Sequence, residues 1–287
     1  MKYKKIDTKL FVKNRKNFVN KLEQKSIAFF NSNDIYPISA DSTLPFDQHR
    51  DIFYLSGIDQ EESILVLFPD SKNMSYKEML FIRETNEHIT HWEGEKLTKE
   101  QAKKISGINN IYWLGEFDEI LRDVLKKVDF VYINTNEHYR QNVQTQTRED
   151  RFIKKLKKIG GLNFKKSNPI LQKQRSIKDN IEIQLIKTAC EITKMGFERV
   201  LNFIKPGVWE YEIEAEFSHE FLKNRSRKFA YTPIIASGRN SNFLHYIYNN
   251  KQCLDGEIVL MDVAAEYANY SSDMTRTVPV NGKFSKR

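Results

Sequence analysis

Two aspartates interrupt a stretch of strongly β-forming sequence, and they constrain the fold more than any other feature of the chain. Residues 258–280, IVLMDVAAEYANYSSDMTRTVPV, are dominated by apolar and β-branched residues and predict a buried β-hairpin. Asp262 and Asp273 lie within it. Because an unpaired carboxylate inside an apolar strand is costly, each must be neutralised, hydrogen-bonded or bound to a cation.

The position of the turn decides where these carboxylates point. Asn tolerates the positive φ that two-residue hairpin loops require, so we predict the loop at Ala268-Asn269. The opposite pairs that follow are Tyr267 with Tyr270, Asp262 with Thr275, and Asp273 with Ala264. Both aspartates then project from one face, at diagonal positions on neighbouring strands, with their backbones roughly 7–8 Å apart. A loop one residue earlier would place Asp262 directly opposite Asp273, still on one face.

Two interpretations of this pair remain open from the pattern alone. Converging carboxylates suit a hard divalent cation such as Mn²⁺, Mg²⁺ or Ca²⁺, or a pair of such cations. The structural alternative makes Asp273 a turn or capping residue and pairs Asp262 with Arg276.

The composition is that of an ordinary water-soluble enzyme or binding protein. With 287 residues, of which 40% are hydrophobic, the chain can build one large core or two smaller ones. Its two cysteines, Cys190 and Cys253, form neither a disulfide framework nor a metal-binding cluster. No run approaches the ~18 apolar residues of a membrane helix, and no apolar stretch follows the basic N-terminus as in a secretory signal. We therefore predict a cytoplasmic protein without a membrane partner.

The net charge of +8 raises the question of a nucleic-acid partner. The lysines and arginines are spread along the chain, and no recognition motif accompanies them. We interpret them as solvated surface and predict no nucleic-acid partner.

The chain divides into two parts of different texture. In residues 1–165, short apolar runs alternate with amphipathic segments, which predicts an α/β domain on a mixed sheet. The predicted strands are Ile27–Phe30, Ile52–Leu55, Ile64–Phe68, Met79–Ile82 and Phe130–Ile133, and the predicted helices are Leu97–Ile105, Phe117–Leu125 and Phe152–Ile159. Because glycines and polar residues interrupt the pattern around residue 165, we place a linker at 166–178.

The second part, residues 179–287, predicts an α+β unit. Asp179 can cap a long helix that ends before Pro206-Gly207, and a second helix carries Ile213, Phe217 and Phe221 on one stripe. Four strand-like runs follow, at 231–236, 243–248, 258–264 and 270–280.

A further constellation precedes the aspartate hairpin. Residues 231–246, YTPIIASGRNSNFLHY, contain a predicted strand that begins at Tyr231, a Ser-Gly-x-Asn turn, and His245 in a second predicted strand. An isolated strand histidine is more often a hydrogen-bonded core residue than a catalytic one.

Taken together, these motifs resemble the aminopeptidases P, a family of Xaa-Pro aminopeptidases with a pita-bread catalytic fold. The resemblance rests on Ser237-Gly238-x-Asn240 leading to His245-Tyr246, on residues 255–262, DGEIVLMD, and on residues 272–282, SDMTRTVPVNG. Upstream, residues 44–57 resemble the N-terminal domain found in creatinase and aminopeptidase P. Essentially the whole chain is covered.

The resemblance implies a set of functional residues. Asp262 and Asp273 correspond to ligands of a dinuclear metal site that holds two divalent metal ions, usually Mn²⁺. His245 corresponds to a catalytic and substrate-positioning residue outside the coordination shell, and Tyr231 to a residue at the edge of the substrate pocket. The implied partner is a peptide with proline in second position, and the implied assembly of the full-length protein is a homo-oligomer.

The sequence also departs from the family pattern, since the family's remaining His and Glu ligands come from a region beyond the position of residue 287. We therefore expect an incomplete pita-bread domain that is inactive alone. Prolidase activity on Xaa-Pro dipeptides and a non-catalytic peptide-binding role are the alternatives. Retention of Asp262, Asp273 and His245 argues against the second alternative.

Overall fold

The computed structural model describes residues 3–138 and 145–286. The chain forms two compact units: a first unit, Ile6–Ile177, and a second unit, Lys178–Arg287 together with Met1–Lys5. Within these described residues, no helix is long and apolar enough to cross a membrane.

The first unit is a mixed sheet covered by helices on both faces. Its helices are α1 Thr8–Val19, α2 Arg50–Ser56, α3 Glu87–Glu93, α4 Lys99–Ser106, α5 Phe117–Leu125, α6 Arg148–Ile159 and α7 Asn168–Ser176. Its strands are β1 Ser26–Asn31, β2 Pro37–Ser39, β3 Ser42–Thr43, β4 Ile64–Leu67, β5 Glu78–Ile82, β6 Asn110–Trp113, β7 Phe130–Ile133 and β8 Asn163–Lys166. Six of the strands form one sheet in the order β6-β5-β4-β1-β7-β8.

The central strand β1 explains why this sheet has two cores. All six of its residues are buried, as expected for a strand covered on both faces. Ala28 and Phe30 pack on one face with α2, α4 and α7, whereas Ile27 and Phe29 pack on the other face with α5 and α6. The predicted mixed α/β sheet is confirmed, since β1 pairs antiparallel with β4 and parallel with β7.

Two predictions for this part of the chain were wrong. Ile52–Leu55, predicted as a strand, lies in α2, where His49 caps the helix by accepting a hydrogen bond from the Asp51 N–H. A four-residue apolar run cannot be distinguished from a buried helical segment by its period alone. The predicted linker 166–178 is largely helix α7, which begins with Pro169 in its first turn and belongs to the first unit. The first domain therefore extends past residue 165.

The second unit packs two helices against short strands. They are α8 Asn180–Phe203, α9 Glu210–Lys223, β9 Ile234–Ser237, β10 Ile258–Asp262, β11 Glu266–Tyr267, β12 Tyr270–Ser271 and β13 Thr275–Pro279. Asp179 caps α8 as predicted and forms a capping box with Glu182. At Gly196 a Cβ would lie 2.6 Å from the ring of Phe221, so the glycine lets α8 approach α9 closely.

The predicted strand at 243–248 is absent. This segment follows a 3₁₀ turn at Gly238–Asn242 and runs as turn and irregular chain, with Leu244 91% exposed. Tyr246 is buried, but the other apolar residues of this segment face solvent in the described structure, so no sheet face stabilises an extended pairing.

Candidate functional site

The site is built on the aspartate hairpin, whose register matches the prediction. Tyr267 pairs with Tyr270, and Asp262 pairs with Thr275. Ala268 and Asn269 form the turn with φ values of 52° and 66°, the left-handed conformation that the two-residue loop requires.

Asp273 also takes its predicted position opposite Ala264. The Val263 N–H donates to the Met274 carbonyl at 3.0 Å, and the Ser272 N–H donates to the Ala265 carbonyl at 3.2 Å. These two bonds bracket Ala264 and Asp273, and the aspartates therefore share one face.

Helix α8 holds this hairpin in place. The Thr193 hydroxyl lies 2.7 Å from the Ser272 hydroxyl and accepts a hydrogen bond from the Ala265 N–H at 2.9 Å. Tyr270 donates from its hydroxyl to Glu182 at 3.1 Å. Because Ser272 directly precedes Asp273, the contacts to α8 fix the backbone that carries the second carboxylate.

One hydroxyl group reaches both aspartates. The Tyr231 hydroxyl lies 2.5 Å from Asp262 Oδ1 and 3.3 Å from Asp273 Oδ1. It has a single proton, and the shorter distance assigns that proton to Asp262. Burial raises the pKa of Tyr231 well above its ordinary value, and the hydrogen bond to Asp262 and the charges of both aspartates add to the rise.

The two carboxylates differ in exposure, which corrects the expectation of a fully buried hairpin. Asp262 is partly buried in β10, whereas Asp273 is exposed and most of β13 faces solvent. The structural alternative for Asp262 is not observed, because its hydrogen bond goes to Tyr231 and the Arg276 guanidinium instead donates to the Thr275 carbonyl.

These residues fit part of a metal site. Two carboxylates that converge on one donor present oxygen ligands of the kind that hard divalent cations prefer. Among residues 3–138 and 145–286, no group of three or more His, Cys, Asp or Glu side chains is arranged to hold a metal ion. Asp262 and Asp273 could therefore supply two ligands of such a site, and no third candidate ligand is grouped with them among the described residues.

Among the residues that the structure describes, His245 is not hydrogen-bonded to this cluster. It is an exposed turn residue, and no hydrogen bond in the described part of the chain joins it to Tyr231, Asp262 or Asp273. Its neighbour Tyr246 is buried and donates from its hydroxyl to Glu210 at 2.7 Å, so the chain beside His245 is anchored although the imidazole is not.

Glu210 is the residue that the sequence interpretation missed. It is fully buried at the start of α9 and accepts hydrogen bonds from the Ser237 N–H, the Ser237 hydroxyl and the Lys251 N–H at 2.7, 2.8 and 2.9 Å. Burial and the hydrogen bond to Glu210 raise the pKa of Tyr246 to about 12. Its position on the stripe of Ile213 and Phe217 was the available signal, since a carboxylate on an apolar stripe needs buried donors.

Comparison with known proteins agrees with this arrangement. Residues 11–132 match the model of the aminopeptidase P N-terminal domain, and residues 184–287 match that of metallopeptidase family M24. The chain belongs to the aminopeptidase P family.

Its relatives are longer proteins. The Xaa-Pro aminopeptidase of Escherichia coli is 30% identical over 98% of this chain and 64% of its own length. The Xaa-Pro aminopeptidase of Haemophilus influenzae is 32% identical over 86% of this chain and 55% of its own length. The solved structure of E. coli aminopeptidase P with the inhibitor Pro-Leu matches 99% of this chain and 64% of that chain, with a TM-score of 0.88 and 29% identity. The present chain thus spans roughly half to two thirds of the length of these relatives.

Proposed function

We propose that this aminopeptidase P family chain carries two metal ligands of an Xaa-Pro aminopeptidase, which releases the first residue from peptides with proline in second position. The observation that supports it most directly is the convergence of Asp262 and Asp273 on one hydroxyl group, within a segment that matches the M24 metallopeptidases. In this proposal Asp262 and Asp273 hold two divalent ions, with Mn²⁺ as the expected metal.

When bound, such ions supply a hydroxide nucleophile near neutral pH and polarise the scissile carbonyl. The protein's own part is to hold the two carboxylates on one face. The hairpin register and the contacts of Thr193 with Ser272 and Ala265 achieve this.

Tyr231 and His245 are proposed to act on the substrate. The Tyr231 hydroxyl lies at the edge of the carboxylate pair and can donate a hydrogen bond there. His245 is exposed and can donate to a peptide carbonyl. The bond before proline lacks an N–H, so recognition has to use the shape of the ring instead of a backbone hydrogen bond.

Calorimetric titration with Mn²⁺ tests the proposed ligands. The wild-type chain should bind Mn²⁺ weakly, because the described residues supply two carboxylates, and Asp273→Ala should weaken binding about tenfold or more. Asp255→Ala is the matched control, since this exposed carboxylate hydrogen-bonds to Asn281 instead of Tyr231. Equal affinities for wild type and Asp273→Ala would remove the metal assignment.

A chimera tests the activity. Residues 184–287 replace the matching part of the E. coli Xaa-Pro aminopeptidase, and hydrolysis of an Xaa-Pro-Yaa tripeptide and an Xaa-Pro dipeptide is measured with Mn²⁺. We expect tripeptide cleavage that chelator abolishes and that Asp262→Ala or Asp273→Ala eliminates. Cleavage of the dipeptide alone would indicate a prolidase. A folded, Mn²⁺-binding chimera that cleaves neither would contradict the proposal.

A further inference from the structure

The first unit contains a crevice that the proposed peptidase chemistry does not use. It encloses about 660 Å³ at the carboxyl ends of β1 and β7. Its lining includes Asn31, which ends β1, Asn134, which directly follows β7, and Arg148 and Glu149 in the first turn of α6.

The path of the chain creates this crevice. β1 and β7 are parallel neighbours in the sheet. After β1 the chain continues to α2, which packs on the face that contains Phe30, whereas after β7 it continues to α6, which packs on the face that contains Phe29. Connections that leave neighbouring parallel strands toward opposite faces open a gap at the strand ends, and α/β proteins commonly bind small ligands in such gaps.

The floor of the crevice is a network of polar side chains around Asn134. The Asn134 amide donates to Asp51 Oδ2 at 3.0 Å, and its backbone N–H donates to Glu149 Oε1 at 3.2 Å. Asn31 donates to the other oxygen of Glu149 at 2.7 Å, and the Arg175 guanidinium pairs with Asp51 at 2.5 Å. Asn134 thus lies between two carboxylates, and its amide orientation is fixed by the bond to Asp51.

One acceptor in this network lacks a partner. Asn134 is only 4% exposed, and its Oδ1 makes no hydrogen bond to any residue that the structure describes. A buried carbonyl oxygen without a donor costs about 1–3 kcal/mol, so it favours a ligand that brings an N–H or O–H group. Because the Asp51 carboxylate lies on one side and Glu149, an anion when deprotonated, lies on the other, a positively charged donor suits this position best.

A cation at the start of α6 has no close acidic partner. Arg148 is half-buried and forms no hydrogen bond or ion pair with the described residues. The nearest charges that act on it are Asp34 and Glu62, but each of these is paired with another arginine, Arg151 at 2.6 Å and Arg83 at 3.2 Å. The Arg148 guanidinium therefore remains available to an anionic group of a ligand.

We propose that this crevice binds a small zwitterion of the amino-acid class. Its ammonium group occupies the position between Asn134 Oδ1, Asp51 and Glu149, and its carboxylate pairs with Arg148. The volume is that of an ordinary small-molecule site and accommodates an amino acid or a short peptide.

Ligand-observed NMR and calorimetry with the twenty free L-amino acids test the proposal on the full chain. At least one should bind, and its N-acetyl and amide derivatives, which lack one charge each, should bind about tenfold more weakly or not at all. Arg148→Gln should weaken binding of the amino acid about tenfold while changing the affinity for the amide derivative little. Asn134→Leu should weaken binding of the amide derivative, which keeps the ammonium group, and leave binding of the N-acetyl derivative unchanged.

Lys155→Gln is the matched control, because it removes one positive charge from the same helix at a residue that pairs with Asp118 outside the crevice. Lys155→Gln should leave amino-acid binding unchanged, and so should Asp273→Ala. The result for the crevice therefore does not depend on whether the proposed metal ligands are correct. Absence of binding at about 10 mM of every amino acid, or binding that Arg148→Gln and Asn134→Leu both leave unchanged, would overturn the proposal.

Discussion

In the absence of metal, the Tyr231 hydroxyl stabilises the aspartate pair, because it lies within hydrogen-bond distance of both carboxylates. Tyr231→Phe keeps the ring and removes the hydroxyl. We expect the free energy of unfolding to fall by about 1.5–3 kcal/mol, since a hydrogen bond to a charged group is lost and two like charges remain close. Urea denaturation without metal measures this change.

The matched control is Tyr211→Phe on α9, whose ring is half exposed and stacks on Trp209. That variant should unfold within about 0.5 kcal/mol of wild type. An equal loss in both variants would show that the Tyr231 hydroxyl contributes nothing specific to the aspartate pair.

Glu149 gives the first unit a pH-dependent stability. Burial raises the pKa of its carboxyl to about 7, and the nearby Asp150 adds to the rise, although hydrogen bonds from Asn31 and Asn134 oppose it. The folded state then binds the proton more tightly than the unfolded state, whose Glu has an ordinary pKa near 4.5. The contribution to stability is therefore present at low pH and is lost as the pH rises toward 7.

Glu149→Gln should remove this dependence, because Gln resembles the protonated acid at every pH. Between pH 5 and 8 we expect the wild type to lose on the order of 2 kcal/mol relative to the variant. Denaturation midpoints across that range measure it, with the exposed Glu119→Gln as control. Parallel curves for wild type and Glu149→Gln would contradict the prediction.

Among the elements, the contact of α8 with α9 depends on the absence of a side chain at one position. A Cβ on residue 196 would meet the Phe221 ring at 2.6 Å and the Phe217 ring at 2.9 Å. Gly196→Ala should therefore cost about 1–3 kcal/mol despite the better helix propensity of alanine. Gly115→Ala, where a Cβ meets nothing within 4 Å, serves as control in thermal unfolding.

The elements that sequence predicted well are those fixed by local rules. The aspartate hairpin followed from a period of two and one turn that accepts positive φ, and α8 from a capping residue and an apolar stripe. Residues 243–248 were predicted wrongly because a short apolar run does not show whether a neighbouring strand is present to pair with it. Ile52–Leu55 failed for a related reason, since burial of a short run depends on what packs against it.

Features that depend on distant parts of the chain could not be read from local pattern. The role of Glu210 requires Ser237, Tyr246 and Lys251 to meet at the start of α9. The crevice at Asn134 requires the order of the sheet and the face to which each connection turns. A window of neighbouring residues can mark Glu210 as a carboxylate on an apolar stripe, but it identifies neither the partners of Glu210 nor the order of the sheet.

At the scale of the whole molecule, the first unit has everything that an independent fold needs. Its six-stranded sheet is complete within Ile6–Ile177 and has a buried cluster on each face. Arg15 is fully buried and joins three elements by donating to the Leu55 carbonyl, the Ser106 carbonyl and Glu78.

A fragment of residues 6–177 should therefore fold cooperatively by itself. Dispersed amide signals in its NMR spectrum and a single unfolding transition would be the expected result. A fragment ending at residue 165 is the informative comparison, because it lacks α7 and with it the buried Leu171. Equal stability of the two fragments would show that α7 is not part of this fold.

The two-residue turn at Ala268-Asn269 has a further consequence for the aspartate pair. The number of residues between each aspartate and the turn decides whether they share a face, since a shift of one residue turns every side chain beyond it to the other side. Many substitutions in the intervening segment preserve that relation, whereas the insertion or deletion of a single residue within either strand destroys it. As related genes diverge, the strands of this hairpin should therefore tolerate substitutions far better than insertions or deletions.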